Sequence, residues 1–250
     1  MRVTFAGVGE AFDENLPNTS ILVESGTSSI LLDCGFSAPG PVWKLGDRAG
    51  RLDAIFVSHF HADHYFGIPA LLARFAEEGR KERLTILGPT GIEGRVRRLL
   101  EMAYSNILAK AGFDVYFLEC TPGDEFKHAG FNFAFAMGDH LMPCLALRLT
   151  ADGKSLLYSG DGRPTDSTRK LARGCDFIIH EAYALNRGVP GHGTVEAALA
   201  FAAESGARAC ALIHMDRAVR HAKKDEIMGH IASLSGLHGF LPEPGDTFDV

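Results

Sequence analysis

The chain has 250 residues, of which 46% are apolar and 28 are glycine, and its formal net charge is −6. This length and apolar content are enough for a large buried core, so the composition excludes a disordered chain and favours one α/β domain spanning residues 1–250. The negative charge argues against a surface that coats nucleic acid, and no apolar run approaches the roughly 20 residues that a membrane span needs.

The first residues and the cysteines both indicate a cytoplasmic protein. Met1 to Gly7 has the pattern of a strand that enters a glycine turn, not that of a cleavable signal peptide. The cysteines are scattered and never form a Cys-x-x-Cys pair, which favours buried reduced thiols over a disulfide framework or a thiolate zinc site. They are Cys34, Cys120, Cys144, Cys175 and Cys210.

Short β-branched or aromatic runs recur between turn residues along the whole chain and predict strands. Helical stretches lie between some of them, and this alternation predicts two sheets packed together with helices outside. The predicted strands are Val3–Phe5, Ser20–Val23, Ser29–Leu32, Ala54–Val57, Leu84–Leu87, Val115–Leu118, Phe131–Phe135, Leu145–Leu149, Ser155–Tyr158, Phe177–Ile179, Ala209–Ile213 and one in the tail Glu243–Val250. The predicted helices are Gly67–Glu78, Ile92–Ala111, Ser167–Ala172, Val195–Ser205 and Lys224–Leu234.

The most informative segment is an apolar strand that runs directly into a group of metal-ligating side chains. His59, His61, Asp63 and His64 follow Ala54–Val57 within a few residues. Ligands must converge on a small ion from several directions, and we expect a loop leaving a strand to turn alternate side chains inward. Solvated or capping histidines are the alternative, but so dense a cluster after a hydrophobic strand argues against it.

Three later residues occupy matching positions at strand ends. His140 precedes a predicted strand, Asp161 follows the next one, and His214 ends a third. All of them could therefore line one rim of a two-sheet sandwich together with the first cluster. Imidazole and carboxylate ligands suit zinc, or less often manganese or iron.

These motifs closely resemble those of the metallo-β-lactamase superfamily over almost the whole chain. The resemblance implies a four-layer αββα sandwich with two divalent metal ions, and a role for Asp33 in ordering the metal loop. It implies that Asp63 also orients an attacking hydroxide, and that Asp161 bridges the two ions. By the same resemblance, one ion is bound by His59, His61 and His140, and the other by Asp63, His64 and His214.

Two further motifs resemble the ribonuclease Z branch of that superfamily. They are His180-Glu181-Ala182 and Gly191-His192-Gly193-Thr194. The resemblance implies that His192 is the general acid that protonates the leaving oxygen and that Glu181 holds its imidazole. The alternative for His192 is a turn residue beside Thr194, which is a suitable N-cap for the helix Val195–Ser205. His180 is expected to pack or form hydrogen bonds behind the site.

The chain also departs from the ribonuclease Z pattern. Those enzymes commonly carry a long arm that grips transfer RNA between the motifs of His140 and Asp161, whereas Leu149 to Lys154 here predicts a tight hairpin turn. The first loop, Gly7 to Glu14, is acidic, although a loop that guides an RNA end should be basic. These departures argue against transfer RNA processing but not against the hydrolytic centre.

A metal-dependent phosphodiesterase is therefore the expected function. Two closely spaced cations lower the pKa of a shared water to near neutrality, which yields a hydroxide nucleophile. The expected substrate is a small-molecule or short nucleic-acid phosphodiester, because the resemblance to ribonuclease Z implies it and because four arginines follow the site motifs. The guanidinium group of arginine matches the geometry of phosphate oxygens. Surface salt bridges are the alternative for these arginines. They are Arg163, Arg187, Arg217 and Arg220.

Other functions remain open on the sequence. The same metal pair could hydrolyse a lactone, a thioester or a sulfate ester, because the fold does not choose among these reactions. A non-catalytic metal-binding domain is a second alternative, and the complete ligand set argues against it. Related enzymes often form homodimers, and the helix Ile92–Ala111 could form such a face or a lid.

Overall fold

The computed structural model describes residues 1–250 and contains two seven-stranded sheets. The strands are β1 (Arg2–Gly7), β2 (Ser20–Ser25), β3 (Ser28–Leu32), β4 (Ala54–Phe56), β5 (Leu84–Pro89), β6 (Val115–Cys120), β7 (Glu125–His128), β8 (Phe131–Met137), β9 (Leu145–Ala151), β10 (Lys154–Tyr158), β11 (Phe177–Glu181), β12 (Ala209–Ile213), β13 (His238–Phe240) and β14 (Thr247–Asp249). The first sheet has the order β14-β1-β2-β3-β4-β5-β6, and the second has the order β13-β12-β11-β10-β9-β8-β7.

Helices cover the outer faces of both sheets. They are α1 (Pro39–Trp43), α2 (Asp47–Gly50), α3 (Ala62–Tyr65), α4 (Ile68–Glu77), α5 (Ile92–Ala103), α6 (Ile107–Lys110), α7 (Asp166–Ala172), α8 (Val195–Ser205), α9 (Arg217–Ala222) and α10 (Lys224–Ala232). None of these helices combines the length and the apolar character that crossing a membrane requires.

The core has three layers of apolar side chains, one between the sheets and one under the helices of each sheet. In β3, Ile30 and Leu32 face the other sheet, whereas Leu31 between them packs under the helices. This alternation follows from the two-residue period of a strand, and it explains why the strand has apolar residues at consecutive positions. The third layer lies under α8 and α10, where Leu199 and Ile231 pack against the second sheet. The predicted αββα sandwich is therefore confirmed.

The parallel part of each sheet determines where loops with polar residues emerge. β3, β4, β5 and β6 are parallel neighbours, and so are β10, β11, β12 and β13. The carboxyl ends of parallel strands meet at one edge of a sheet, which is where ligand sites form in such folds. The register aligns Glu181 at the end of β11 with Ile213 at the end of β12, immediately before His214.

Several elements differ from the sequence prediction. The predicted helix Ile92–Ala111 is wrong as one element, because Tyr104 leaves the helical conformation and Asn106 has a φ of 60°. Two edge strands, β7 and β13, were not predicted. Glu125–His128 in β7 carries alternating exposed side chains, and β13 has only three residues with Gly239 at its centre, so neither has an apolar run.

The predicted hairpin between β9 and β10 is confirmed. Asp152 and Gly153 form its two-residue turn with φ values of 52° and 71°. Positive φ at both turn residues matches the right-handed twist of the flanking strands. The five cysteines are all buried and unpaired, as the sequence predicts.

Candidate metal centre

Loops at one edge of the sandwich bring together all the predicted ligands. The stretch after β4 carries four of them, and the stretches before β9, after β10 and after β12 carry one each. Their ligand atoms form overlapping groups in which every pair lies within 4.8 Å. One group is His59, His61, His140 and Asp161; the second is Asp63, His64 and His214; and the third is Asp161, His192 and His214.

The local backbone of the first cluster differs from the extended loop that we predicted. His61 is the N-cap of the one-turn helix α3, and Asp63 and His64 lie inside it. The ligand atoms of these two residues group with His214, while the ring of His64 also packs against that of His59 with centroids 4.1 Å apart. Gly35 permits this packing, because a Cβ atom on it would lie 1.9 Å from the carbonyl oxygen of Asp63.

Ring nitrogens face one another in the first group. Nε2 of His59 lies 3.0 Å from Nδ1 of His61, and Nε2 of His140 lies 3.3 Å from the same atom. Oδ2 of Asp161 lies 3.9 Å from Nε2 of His59. A tetrahedral ion with bonds of about 2.0–2.1 Å separates its ligand atoms by roughly 3.4 Å. The three imidazoles and the carboxylate therefore fit a divalent cation.

The second group has a similar spacing and a buried nitrogen without a hydrogen bond. Oδ2 of Asp63 lies 3.2 Å from Nε2 of both His64 and His214. Asp161 reaches this group as well, with Oδ1 3.3 Å from Nε2 of His64. That nitrogen of His64 is buried yet makes no hydrogen bond. A cation between these groups would satisfy it, and Asp161 has an oxygen directed to each group.

Hydrogen bonds at the opposite ring nitrogens orient three of the imidazoles. Nδ1 of His59 donates to Oγ of Ser58 at 3.0 Å, and Nδ1 of His64 donates to Oδ2 of Asp33 at 2.7 Å. Nδ1 of His140 donates to the carbonyl oxygen of Gly191 at 2.6 Å. Each bond holds its ring so that Nε2 faces the other ligands, where it can bind a metal once it carries no proton.

Asp33 connects the two sheets beneath the site. Its buried carboxylate accepts hydrogen bonds from the backbone and side chain of Ser58, from His64 and from the hydroxyl of Tyr158. Its backbone has a φ of 57°, a left-handed conformation that costs a non-glycine residue energy. Tyr158 was not predicted to contribute, because only its place at the end of an apolar strand was visible in the sequence.

Burial and neighbouring charges shift the pKa values of the site residues, often in opposite directions. Burial alone would raise the pKa of Asp161, but the imidazoles of His214 and His64 outweigh it and hold that pKa well below its usual range. Burial would lower the pKa of His214, but Asp161 and Asp63 raise it to about 9. Burial, reinforced by the neighbouring His64, lowers the pKa of His59. The carboxylates are thus ionised and ready to bind a cation.

His192 and Glu181 form the predicted pair beside the ligands. Nδ1 of His192 donates to Oε2 of Glu181 at 3.0 Å, while Oε1 accepts from the backbone N–H groups of Gly162 at 2.6 Å and Gly193 at 2.9 Å. Burial raises the pKa of Glu181, and the hydrogen bond from His192 opposes it. Burial would lower the pKa of His192, but Glu181 outweighs it and raises that pKa. Thr194 caps helix α8, as the sequence predicts.

Two neighbouring aromatic side chains complete this part of the site. The ring of Tyr183 stacks on His192 with centroids 4.6 Å apart, a contact that the sequence analysis missed. His180 is buried against Phe201, and its Nδ1 donates to the carbonyl oxygen of Glu181. Burial lowers the pKa of His180 to about 4. His180 therefore packs behind the site, in agreement with the prediction.

Three of the four arginines expected to bind phosphate make salt bridges. Arg163 pairs with Asp139 at 2.7 Å, and Arg217 pairs with Glu10 at 2.8 Å. Arg220 is buried and binds the carboxylate of Glu243 and a backbone carbonyl. Arg163 and Arg217 thus form the partly exposed salt bridges of the alternative interpretation, whereas the guanidinium of Arg220 is buried. Arg187 is exposed and makes no salt bridge.

Known proteins resemble this chain in sequence and in fold. A family model described as Anti-Pycsar protein Apyc1 matches residues 1–234. A protein of Methanosarcina acetivorans named Ribonuclease Z is 24% identical, with 86% of this chain and 87% of that protein aligned. Among solved structures, the metallo-β-lactamase fold protein YhfI from Bacillus subtilis has a TM-score of 0.82 at 23% identity, covering 99% of both chains. The short form of human tRNase Z has a TM-score of 0.82 at 22% identity, covering 100% of this chain and 99% of the other.

Proposed function

The chain belongs to the family described as Anti-Pycsar protein Apyc1, and from this premise we propose that it is a metal-dependent phosphodiesterase of the metallo-β-lactamase fold. The relatives named Ribonuclease Z support a phosphodiester substrate. One observation carries the proposal: ligand atoms from distant parts of the chain converge in two groups, Asp161 has an oxygen near each of them, and a histidine held by a carboxylate lies beside them.

The proposed ligands divide the site into two cation positions. His59, His61 and His140 would hold one ion, and Asp63, His64 and His214 would hold the other, with Asp161 between them. Zinc is the preferred metal, since four-coordinate nitrogen and carboxylate sites suit it, and manganese and iron are alternatives. When bound, such a pair lowers the pKa of a water and stabilises negative charge on the scissile phosphate.

The protein residues supply proton transfer and orientation. Nε2 of His192 donates a proton to the leaving oxygen, because its Nδ1 is committed to Glu181. Glu181 favours the protonated imidazole by its charge and fixes the ring by its hydrogen bond. Asp63, whose carboxylate lies between His64 and His214, orients the attacking water.

The loops around the site support a small substrate. The turn between β9 and β10 has only two residues, so no arm extends from this position to hold a folded RNA. Glu10 in the acidic first loop is buried and pairs with Arg217, so this arginine already has a carboxylate partner. Small phosphodiesters, cyclic nucleotides and short RNA ends fit these features better than transfer RNA does. Because all five cysteines are buried thiols, we also propose a cytoplasmic location.

A turnover experiment tests the proposal. Purified protein loaded with zinc is expected to hydrolyse bis(p-nitrophenyl) phosphate faster than a lactone or a thioester. Asp63→Ala and His192→Ala should abolish most of this activity, whereas His221→Ala, a change at an exposed histidine outside the site, should leave it unchanged. Preferred turnover of the lactone or thioester would reassign the substrate class, and unchanged turnover in both site variants would refute the proposed roles.

A further inference from the structure

A cleft of about 510 Å³ lies beside the proposed metal centre and has no assigned role. No proposed ligand lines it, but it is continuous with the ligand loops, because Phe60 lies between His59 and His61 in the chain and Leu141 follows His140. Its other walls include Met137, Met142 and Cys120. The cleft therefore borders the end of the site where His59, His61 and His140 converge.

The walls of the cleft are apolar and partly exposed. Leu141 is 77% exposed although it is a large apolar side chain. It packs closely on the loop that carries His192, because a Cβ atom on Gly191 would lie 2.9 Å from Cγ of Leu141. Methionine side chains adapt to ring-shaped ligands and make favourable contacts with them. The volume lies within the range of about 300–1,000 Å³ that is typical of small-molecule sites.

One wall combines an aromatic ring with a cation that has no carboxylate partner. The guanidinium carbon of Arg95 lies 4.4 Å from the ring centroid of Phe60. Arg95 is exposed and forms no salt bridge, in contrast to Arg97 on the same helix, which pairs with Glu93. A guanidinium stacked on a ring presents a flat surface for a second ring, and its N–H groups stay free for a polar acceptor.

We propose that this cleft is a subsite for an aromatic group carried by the phosphodiester substrate. The ring lies against Phe60, Leu141 and the methionines and contacts the guanidinium group of Arg95, whose N–H groups donate hydrogen bonds to any acceptor atoms at the edge of the ring. Phe60 and Arg95 are then specificity residues that select aromatic over small aliphatic esters. This inference rests on the proposed phosphodiesterase function, because the phosphorus atom must lie at the metal centre when the ring fills the cleft.

Binding of two small phosphonates tests the subsite without requiring turnover. Isothermal titration of zinc-loaded protein measures the dissociation constants of phenylphosphonate and methylphosphonate, which differ only in the ring. Burial of the ring predicts that the wild-type protein binds phenylphosphonate about tenfold more tightly. Arg95→Met, which keeps the unbranched stem, and Phe60→Leu should each reduce this preference to about threefold or less. Arg98→Met, an exposed arginine on the same helix outside the cleft, is the matched control and should keep the full preference.

The outcomes separate the subsite from the phosphodiesterase activity. Equal binding of the two phosphonates by wild type, no binding of either, or a full preference in both cleft variants would overturn the subsite. Zinc content and thermal unfolding of Phe60→Leu identify any loss caused by disturbance of the adjacent ligands. Turnover of bis(p-nitrophenyl) phosphate by the same preparation tests the activity itself. If the protein prefers phenylphosphonate but does not hydrolyse the diester, the proposed activity is wrong and the aromatic subsite stands.

Discussion

Glu181→Gln tests whether the buried carboxylate of Glu181 orients the imidazole of His192 and favours its protonated form. The carboxylate is fully buried and accepts three hydrogen bonds, two from backbone N–H groups and one from Nδ1 of His192. In the variant, one amide oxygen can still accept from Gly162 and Gly193. The amide NH₂ group then faces the N–H of His192, and two donors cannot form a hydrogen bond.

The variant should lose turnover without unfolding. General acid catalysis contributes about 10²–10⁴-fold, and we expect kcat to fall by roughly 10²-fold or more because the imidazole loses both its orientation and the nearby negative charge. Global stability should change by less than about 2 kcal/mol, since loss of a charged hydrogen bond is partly offset by removal of a buried charge.

The pH profile gives a second readout. Glu181 raises the pKa of His192 against the opposing effect of burial, so the general acid stays protonated to a higher pH in the wild type. Activity should decline as pH rises through that pKa, and in Glu181→Gln the decline should move to lower pH. Steady-state kinetics between pH 5 and 10, with His192→Ala as the comparison, measures this shift. An unchanged kcat and an unchanged alkaline limb would refute the assigned roles.

Three further predictions concern metal affinity and stability. Tyr158→Phe removes one hydrogen-bond donor from the buried carboxylate of Asp33, and should lower stability by about 1–2 kcal/mol and zinc affinity by about tenfold. Chemical denaturation and chelator competition measure these effects, and wild-type values for both would exclude a positioning role for Tyr158. Zinc affinity should rise with pH up to about 9, because His214 must lose its proton before it binds metal; a flat competition curve between pH 6 and 9 would contradict this. Gly35→Ala should destabilise the protein by about 1–3 kcal/mol or more, because its Cβ would collide with the carbonyl oxygen of Asp63. Gly40→Ala, a change at a position with open space around it, should not destabilise the protein, and equal unfolding midpoints for the two variants would show that the loop adapts.

Most of the fold could be predicted from the sequence because every strand except the edge strands β7 and β13 carries its own local signal. Consecutive apolar residues such as Ile30, Leu31 and Leu32 are required by a sheet buried on both faces, and this pattern is visible without tertiary information. The break at Asn106 was missed, since a helical stripe of apolar residues continues across it. The short helix α3 was also missed, because its one turn is defined by packing against Gly35 rather than by helical periodicity.

The proposed ligands could be identified because their residue types are distinctive and they lie near the ends of predicted strands. The residues that orient them were harder to find, since their contacts join distant parts of the chain. Tyr158 and Asp33 are 125 positions apart, and nothing local to either residue indicates the hydrogen bond between them. The salt-bridge partners of the arginines could not be identified for the same reason: the carboxylate that pairs with Arg217 belongs to Glu10, 207 positions away.

The proposed function requires two cations where these side chains converge. Anomalous diffraction from crystals grown with zinc, recorded on both sides of the zinc absorption edge, locates such ions. We expect two peaks per chain, one among His59, His61 and His140 and the other among Asp63, His64 and His214, with Asp161 next to both. A single peak, or peaks outside this cluster, would contradict it.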